Sequence, residues 1–474
     1  MASGDPQGFT PYGWVVCLWV LIASFQYGFH ISSLNQLQAV LTCRGHGLPF
    51  LHYGLPTCIP MTDTTFSFLT SVYTVGGFLG SIGANVVMDR YGRKGAMLIS
   101  AFIMAIGSGL MGVAASLTPL LFGRLFTGIS AGIGICVGPI YIAEIAPGSI
   151  KGAVGVLTQF AIVIGIMVTQ SMGLQLATPL TWRLVLFFSA AFAIAQLLAG
   201  MFIVESPVWL ARHGFVREKE MSCRRLWNDP HALRTPEIST PDVEDVEDPL
   251  LAAQDERSSL NPDMRERDEP HEAAVTVPQV LSRKEFRRPL AIVCFSMLCQ
   301  QLSGVNAVLY YSNDILSKTV PDAGPYISLG VTVVNVFMTF PPIFLIDRMG
   351  RKRLLSLSAS GAILSLVGVG WGLDSGAVVL ASVTVMTFIS SFAIGIGPVP
   401  FVMIPEVSPH HAVSALSSVG LTLNWTANFL VGLVFLPLRN FLADGDPLKE
   451  GRVFYVFAAM LTFFTFMLFE TYRG

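Results

Sequence analysis

Charge is what this 474-residue sequence has least of: Asp, Glu, Lys and Arg together make up 13% of it. A soluble domain usually carries about 25%, so a string of soluble domains is excluded. Lys and Arg are absent from residues 1–43. The basic stretch that opens a cleaved leader is therefore missing, and the first apolar run is expected to stay as a signal anchor. Cysteine is sparse, seven in all, and no spacing among them suggests a metal site or a cofactor. No phosphate loop is present and no nucleophile is set beside a base, so enzymatic chemistry finds no support. A net charge of −2 without a basic face gives no footing for nucleic acid.

Apolar length is what the sequence has in excess: 52% of residues are hydrophobic. A hydrocarbon core of about 30 Å needs about 20 apolar residues per helical crossing. Twelve runs meet that need: 13–33, 66–88, 95–114, 119–143, 154–176, 183–204, 289–316, 325–346, 353–373, 377–403, 412–438 and 453–470. Their length and lack of period-two alternation predict helices, so the chain reads as an all-α membrane protein.

Lys and Arg in the loops set the orientation. They concentrate after runs two, six and eight, which places the N-terminus in the cytoplasm. Cys43 and Cys58 then share a loop on the opposite, oxidising side, where a disulfide and two free thiols are both compatible with the sequence. The connection 205–288 is the one polar region. Residues 209–228 and 276–288 can form short amphipathic helices, and the Pro- and acid-rich 229–275 is expected to be disordered. Within it, EDPLL (247–251) fits either a sorting signal or a plain linker.

The few charges are spent twice on one phrase: DRYGRK at 89–94 and DRMGRKR at 347–353. Asp89 precedes Asp347 by 258 residues, Glu144 precedes Glu406 by 262, and Glu205 precedes Glu470 by 265. Three pairs at near-constant offset predict two parallel six-helix halves, 1–204 and 289–474, joined by a cytoplasmic segment, 205–288. In each phrase the Gly permits a tight turn and the Asp is expected to cap the helix that follows. Arg90, Arg93, Arg348 and Arg351 then lie within reach of Glu144, Glu205, Glu406 and Glu470, forming a charge latch on the cytoplasmic side. Screened pairs are worth about 1 kcal/mol each, weak enough to open thermally.

Seven carboxamides fall inside the runs: Gln159, Gln300, Gln301, Asn306, Asn335, Asn424 and Asn428. In hydrocarbon they must face the bundle interior. Either they tie helices together or they donate to and accept from a neutral, polyhydroxylated solute.

The phrases FQYGFHISSLNQ (25–36), DRYGRK, GRLFTGISAGIGICVGPIYIAEIAP (123–147), TQFAIVIGI (158–166), VESP (204–207), QQLSGVNAVLYYS (300–312), DRMGRKR, GIGPVPFVMIPE (395–406) and NWTANF (424–429) resemble the sugar porters of the major facilitator superfamily. Among those, they resemble the facilitative hexose transporters. The resemblance implies alternating access for a monosaccharide by a monomer in a lipid bilayer. The plasma membrane is the first expectation, and a vacuolar or endosomal membrane the second. It assigns Gln159, Gln300, Gln301, Asn306, Asn335 and Asn424 to sugar hydroxyls. Trp425, Phe392, Ile162 and Ile166 become apolar walls, and Asn428 a packing residue. The chain departs from the family at Phe401 (a Trp there), Ala393 (a Glu), Leu309 (a Phe) and in VESPV for PESPR. Proton-coupled relatives carry a carboxylate where this chain has His30, partnered by an Arg that remains as Arg124. His30 either bonds to a neighbour or serves a proton role. A proton-coupled symporter and a non-transporting sugar sensor are the alternative functions.

Overall fold

The computed structural model describes residues 8–43, 50–228, 275–305, 324–444, 446 and 449–472. Asn306, Leu309 and nearly all of the acidic insert lie outside the described residues.

Helix α1 (Pro11–Leu41) opens with Pro at its first position, and the Thr10 hydroxyl accepts from the Gly13 amide at 3.0 Å. A short hairpin follows, β1 (Leu51–His52) against β2 (Leu55–Pro56). Next come α2 (Asp63–Gly112), α3 (Leu117–Ile145), α4 (Lys151–Leu176) and α5 (Trp182–Gly200). Two short helices, α6 (Pro207–Arg212) and the more polar α7 (Val216–Leu226), close the first part of the chain. The second part holds α8 (Val277–Ser282), α9 (Arg287–Gln301), α10 (Gly324–Met349), α11 (Arg351–Asp374) and α12 (Val378–Ser391). It ends with α13 (Val399–Val407), α14 (Val413–Ala443) and α15 (Arg452–Thr471). A π turn at Phe392–Ile396 bends the chain between α12 and α13.

Among the described residues, nine helical stretches are long and apolar enough to cross a membrane. One of them, within α2, is two arms joined at a break at Gly92, whose φ is +76°. The predicted seventh run, 289–316, is interrupted: α9 stops at Gln301 and the chain turns at Gly304, φ +77°.

The N-terminal helices pack on one another, as α1 on α4 and both arms of α2 on α3 and α5. The C-terminal helices do likewise, as α11 on α12 and α15, and α9 on α14 and α15. The halves join chiefly through α2 with α14 and α4 with α10, and more lightly through α3 with α13 and α14 and α4 with α13. Apolar clusters fill both halves, and the first extends across the seam through Met297, Phe401 and Trp425. The sulfurs of Cys43 and Cys58 are bonded, with Cα atoms 5.2 Å apart.

Candidate functional site

The amides meet where α9 ends. Asn424 on α14 donates from Nδ2 to Gln300 Oε1 at 2.9 Å, and Gln301 Nε2 donates to Asn424 Oδ1 at 3.2 Å. Gln300 Nε2 also donates to the Gly397 carbonyl at 2.7 Å. That carbonyl lies just past the π turn, whose closing bond runs from the Gly397 amide to Phe392 O at 2.9 Å. Adjacent helical residues point about 100° apart, yet Gln300 and Gln301, the last two residues of α9, both reach Asn424. The Gln159 amide and the Phe392 ring border Gly397 from two further sides. All of these side chains except Gln159, on α4, come from C-terminal helices.

Trp425 is 2% exposed and stands edge-on to Tyr27 and Tyr73 of the N-terminal helices, at 5.6 and 5.7 Å between ring centres. Among the described residues its indole N–H has no partner. A buried donor without a partner costs about 1–3 kcal/mol, so it suits a site where a ligand hydroxyl can accept. Asn335 on α10 is buried with its Oδ1 likewise unpaired among the described residues, although no described hydrogen bond joins it to the trio. Ile162 is buried and Ile166 half-buried on the same helix as Gln159.

His30 is fully buried in a hydroxyl network. Its Nε2 lies 2.7 Å from Ser189 Oγ and 3.1 Å from Ser108 Oγ, and Ser189 donates to Gln26 Oε1 at 2.8 Å. Arg124 donates to the His30 carbonyl at 2.9 Å and lies over the Tyr73 ring at 4.6 Å. Serines 108 and 189 carry no sequence signal, since single hydroxyls are common in apolar helices.

The charged phrases build a second site on one face of the bundle. Arg93 grips Glu144 with two bonds, Nε to Oε2 at 2.9 Å and Nη2 to Oε1 at 2.8 Å. Ser206, which sequence reasoning missed, donates to the same carboxylate at 2.5 Å. In the second half Arg351 Nη2 lies 2.7 Å from Glu406 Oε1, and its Nη1 lies 3.1 Å from Asp347 Oδ1.

The expected capping by Asp is corrected. Glu205, not Asp89, caps the second arm of α2, accepting from the Arg93 and Lys94 amides at 2.9 and 3.0 Å. A Cβ at Gly92 would collide with that carboxylate. Burial pushes the Glu205 carboxyl above its ordinary range, while the Ser206, Lys94 and Arg93 amides and the Arg93 charge pull it back. The two Asp residues instead reach across the seam. Asp347 accepts from the Ala153 amide in the first turn of α4 at 2.9 Å. Asp89 faces Ser414 in the first turn of α14, with Arg93, Arg212 and His213 around it. Each phrase therefore places an anion at the positive end of a helix in the other half. Arg90, Arg348 and Glu470 are exposed, and no ion pair among the described residues includes them.

An anion at a helix start is worth about 0.3–1 kcal/mol. Asp347→Ala is therefore expected to raise access from this face a few-fold, read as labelling of a cysteine placed at Pro400. Unchanged labelling would reduce Asp347 to a plain helix cap.

The family described as "Sugar (and other) transporter" matches residues 16–472. A probable metabolite transport protein of Saccharomyces cerevisiae is similar at 32% identity, over 95% of this chain and 89% of its own length. The facilitated glucose transporter member 3 of solute carrier family 2 from Ovis aries is also 32% identical, over 94% of this chain and 87% of its own. A solved proton:xylose symporter of the major facilitator superfamily, bound to 6-bromo-6-deoxy-D-glucose, superposes with a TM-score of 0.75. It covers 97% of this chain and 95% of its own, and at 19% identity it shows a shared fold.

Proposed function

The chain belongs to the sugar transporter family, a family of carriers and not of enzymes, and from that premise we propose that it carries a hexose such as glucose or fructose down its gradient. The observation that supports a neutral, hydroxylated cargo is the trio Gln300, Gln301 and Asn424, with Gln159 beside it and nearby the Trp425 N–H, unpaired among the described residues. These groups donate and accept without net charge, as a sugar requires and an ion does not. Asn335 and Asn306 belong to the same proposed set, with Phe392, Ile162 and Ile166 as walls.

Passive flow is favoured by what surrounds His30. Its partners are two hydroxyls, and Arg124 is held by a carbonyl and a tyrosine face where coupled relatives use a carboxylate. Among the described residues, Glu144 is the most deeply buried acid, and both it and the partly buried Glu205 belong to the charge latch. Two halves, 1–204 and 289–474, would rock about the amides, with 205–288 between them. The latch, reading its face as cytoplasmic and the N-terminus with it, would close while the opposite side is open. The active unit is a monomer and the plasma membrane its place.

The test is uptake of a panel of labelled sugars into proteoliposomes, with and without a pH gradient. Internal sugar is expected to reach the outside level and no higher. Accumulation above it that an uncoupler abolishes would make the chain a proton symporter instead.

A further inference from the structure

On the face opposite the charge latch, the β1–β2 hairpin is held more firmly than a loop of its length requires. The Cys43–Cys58 disulfide closes its base, the Ile59 amide donates to Leu41 O at 2.9 Å, and the Thr57 amide donates to Phe50 O at 2.9 Å. Two side chains at the start of α5 pin it further. Trp182 Nε1 donates to Thr57 O at 2.7 Å, and Arg183 Nη2 donates to Pro56 O at 2.8 Å while Nη1 reaches Gly112 O.

This fixed platform presents apolar side chains outward. Phe50 is 52% exposed, Leu51 73% and Tyr53 93%. Residues 50–62, FLHYGLPTCIPMT, contain no Asp, Glu, Lys or Arg. The turn needs positive φ at two positions, and they are Tyr53 (+50°) and Gly54 (+77°). Asn or Gly is the usual choice at the first of these, and a bulky aromatic is disfavoured there. Backbone strain of this kind points to a role for the side chain it displays.

We propose that the hairpin tip is an interfacial membrane anchor, with Phe50, Leu51 and Tyr53 seated in the headgroup layer of the bilayer. Uncharged aromatic and aliphatic side chains favour that layer, where an apolar body and a polar tip are both accommodated. The surface beside the hairpin is apolar and exposed, as a lipid-facing wall requires: Leu180 just before α5, and Leu184 and Phe187 on it, flank Trp182 and Arg183. The tip continues that wall. The seams between the halves run along α2–α14 and α4–α10, whereas α5 packs on α1, α2 and α4. The anchor therefore fixes the flank of the N-terminal half in the bilayer and leaves the seams free to move.

The test uses the full chain in proteoliposomes, with Cys294→Ser removing the half-exposed free thiol. An environment-sensitive fluorophore is attached through Tyr53→Cys, and separately through Phe50→Cys, which leaves Tyr53 in place. Both labels are expected to be quenched strongly by lipids with a nitroxide near the headgroup and several-fold less by aqueous iodide than a label on exposed Lys219→Cys. Iodide quenching equal to that control would overturn the anchor. A signal that tracks the protein-to-lipid ratio would assign the tip to a second copy. A signal that changes when glucose or fructose is added would place it over the mouth between the halves. Either result defeats the proposal.

Discussion

Glu144→Ala is expected to destabilise the protein far more than Glu406→Ala, although the two residues occupy equivalent places in the duplicated halves. Arg93 is 0% exposed and Glu144 is 8%. Removing one partner of a buried pair strips the other of its bonded counter-ion away from water, which costs about 3–5 kcal/mol. Glu205 and Asp89 feel the Arg93 charge, but the bonds of its guanidinium to a carboxylate among the described residues are those to Glu144. Arg351 and Glu406 keep about a fifth of their side-chain surface, 20% and 21%. Asp347 also stays within 3.1 Å of Arg351 when Glu406 is lost. That pair therefore behaves as a screened one, worth about 1 kcal/mol. The measurement is the melting temperature of each purified variant in one detergent, together with its level in the membrane. A further control replaces both buried charges, Arg93→Met with Glu144→Leu. It should recover most of the loss, because no isolated charge remains. Equal shifts for Glu144→Ala and Glu406→Ala would mean that the two latches are energetically alike despite their different burial.

That asymmetry was not legible in the sequence, and its cause is physical. The repeated phrases reveal that Arg93 and Arg351 are equivalent, and pairing each with the Glu of its own half needs only loop proximity. Burial depends on what covers the pair. In the first half Ser206 and Glu205 fold over it, while their counterpart Glu470 stands exposed. The destinations of Asp89 and Asp347 were hidden for a related reason. An Asp before a Gly turn has two helix starts within reach, its own and one across the seam, and local pattern describes only the first. The amides were the easiest part to read, because a carboxamide in an apolar run must face a partner. Their convergence on Gly397 was not legible, since it depends on how α4, α9 and the 392–396 turn pack together, which no local pattern announces. The hydroxyls around His30 left no trace either.

Gln159→Ala and Gln300→Ala are expected to weaken sugar binding alike but to differ in stability. Each lost hydrogen bond to a neutral hydroxyl is worth about 0.5–1.5 kcal/mol, rising toward 3 where a partner is stranded. The affinity loss should therefore run from a few-fold to about a hundredfold. Gln300 also ties three elements together, through its bonds to Gly397 and Asn424. Its removal should lower the melting temperature without sugar, and Asn424→Ala should do the same. The two losses should be less than additive when combined, because each variant already breaks the bond they share. Gln159 takes no part in that trio, so its Ala variant should melt near the parent yet bind sugar poorly. The reading that separates site from scaffold is the rise in melting temperature on adding sugar, which follows affinity through mass action. A ligand site predicts that the rise shrinks in all three variants. If sugar protects each variant as well as it protects the parent, the amides are interhelical ties and the sugar binds elsewhere.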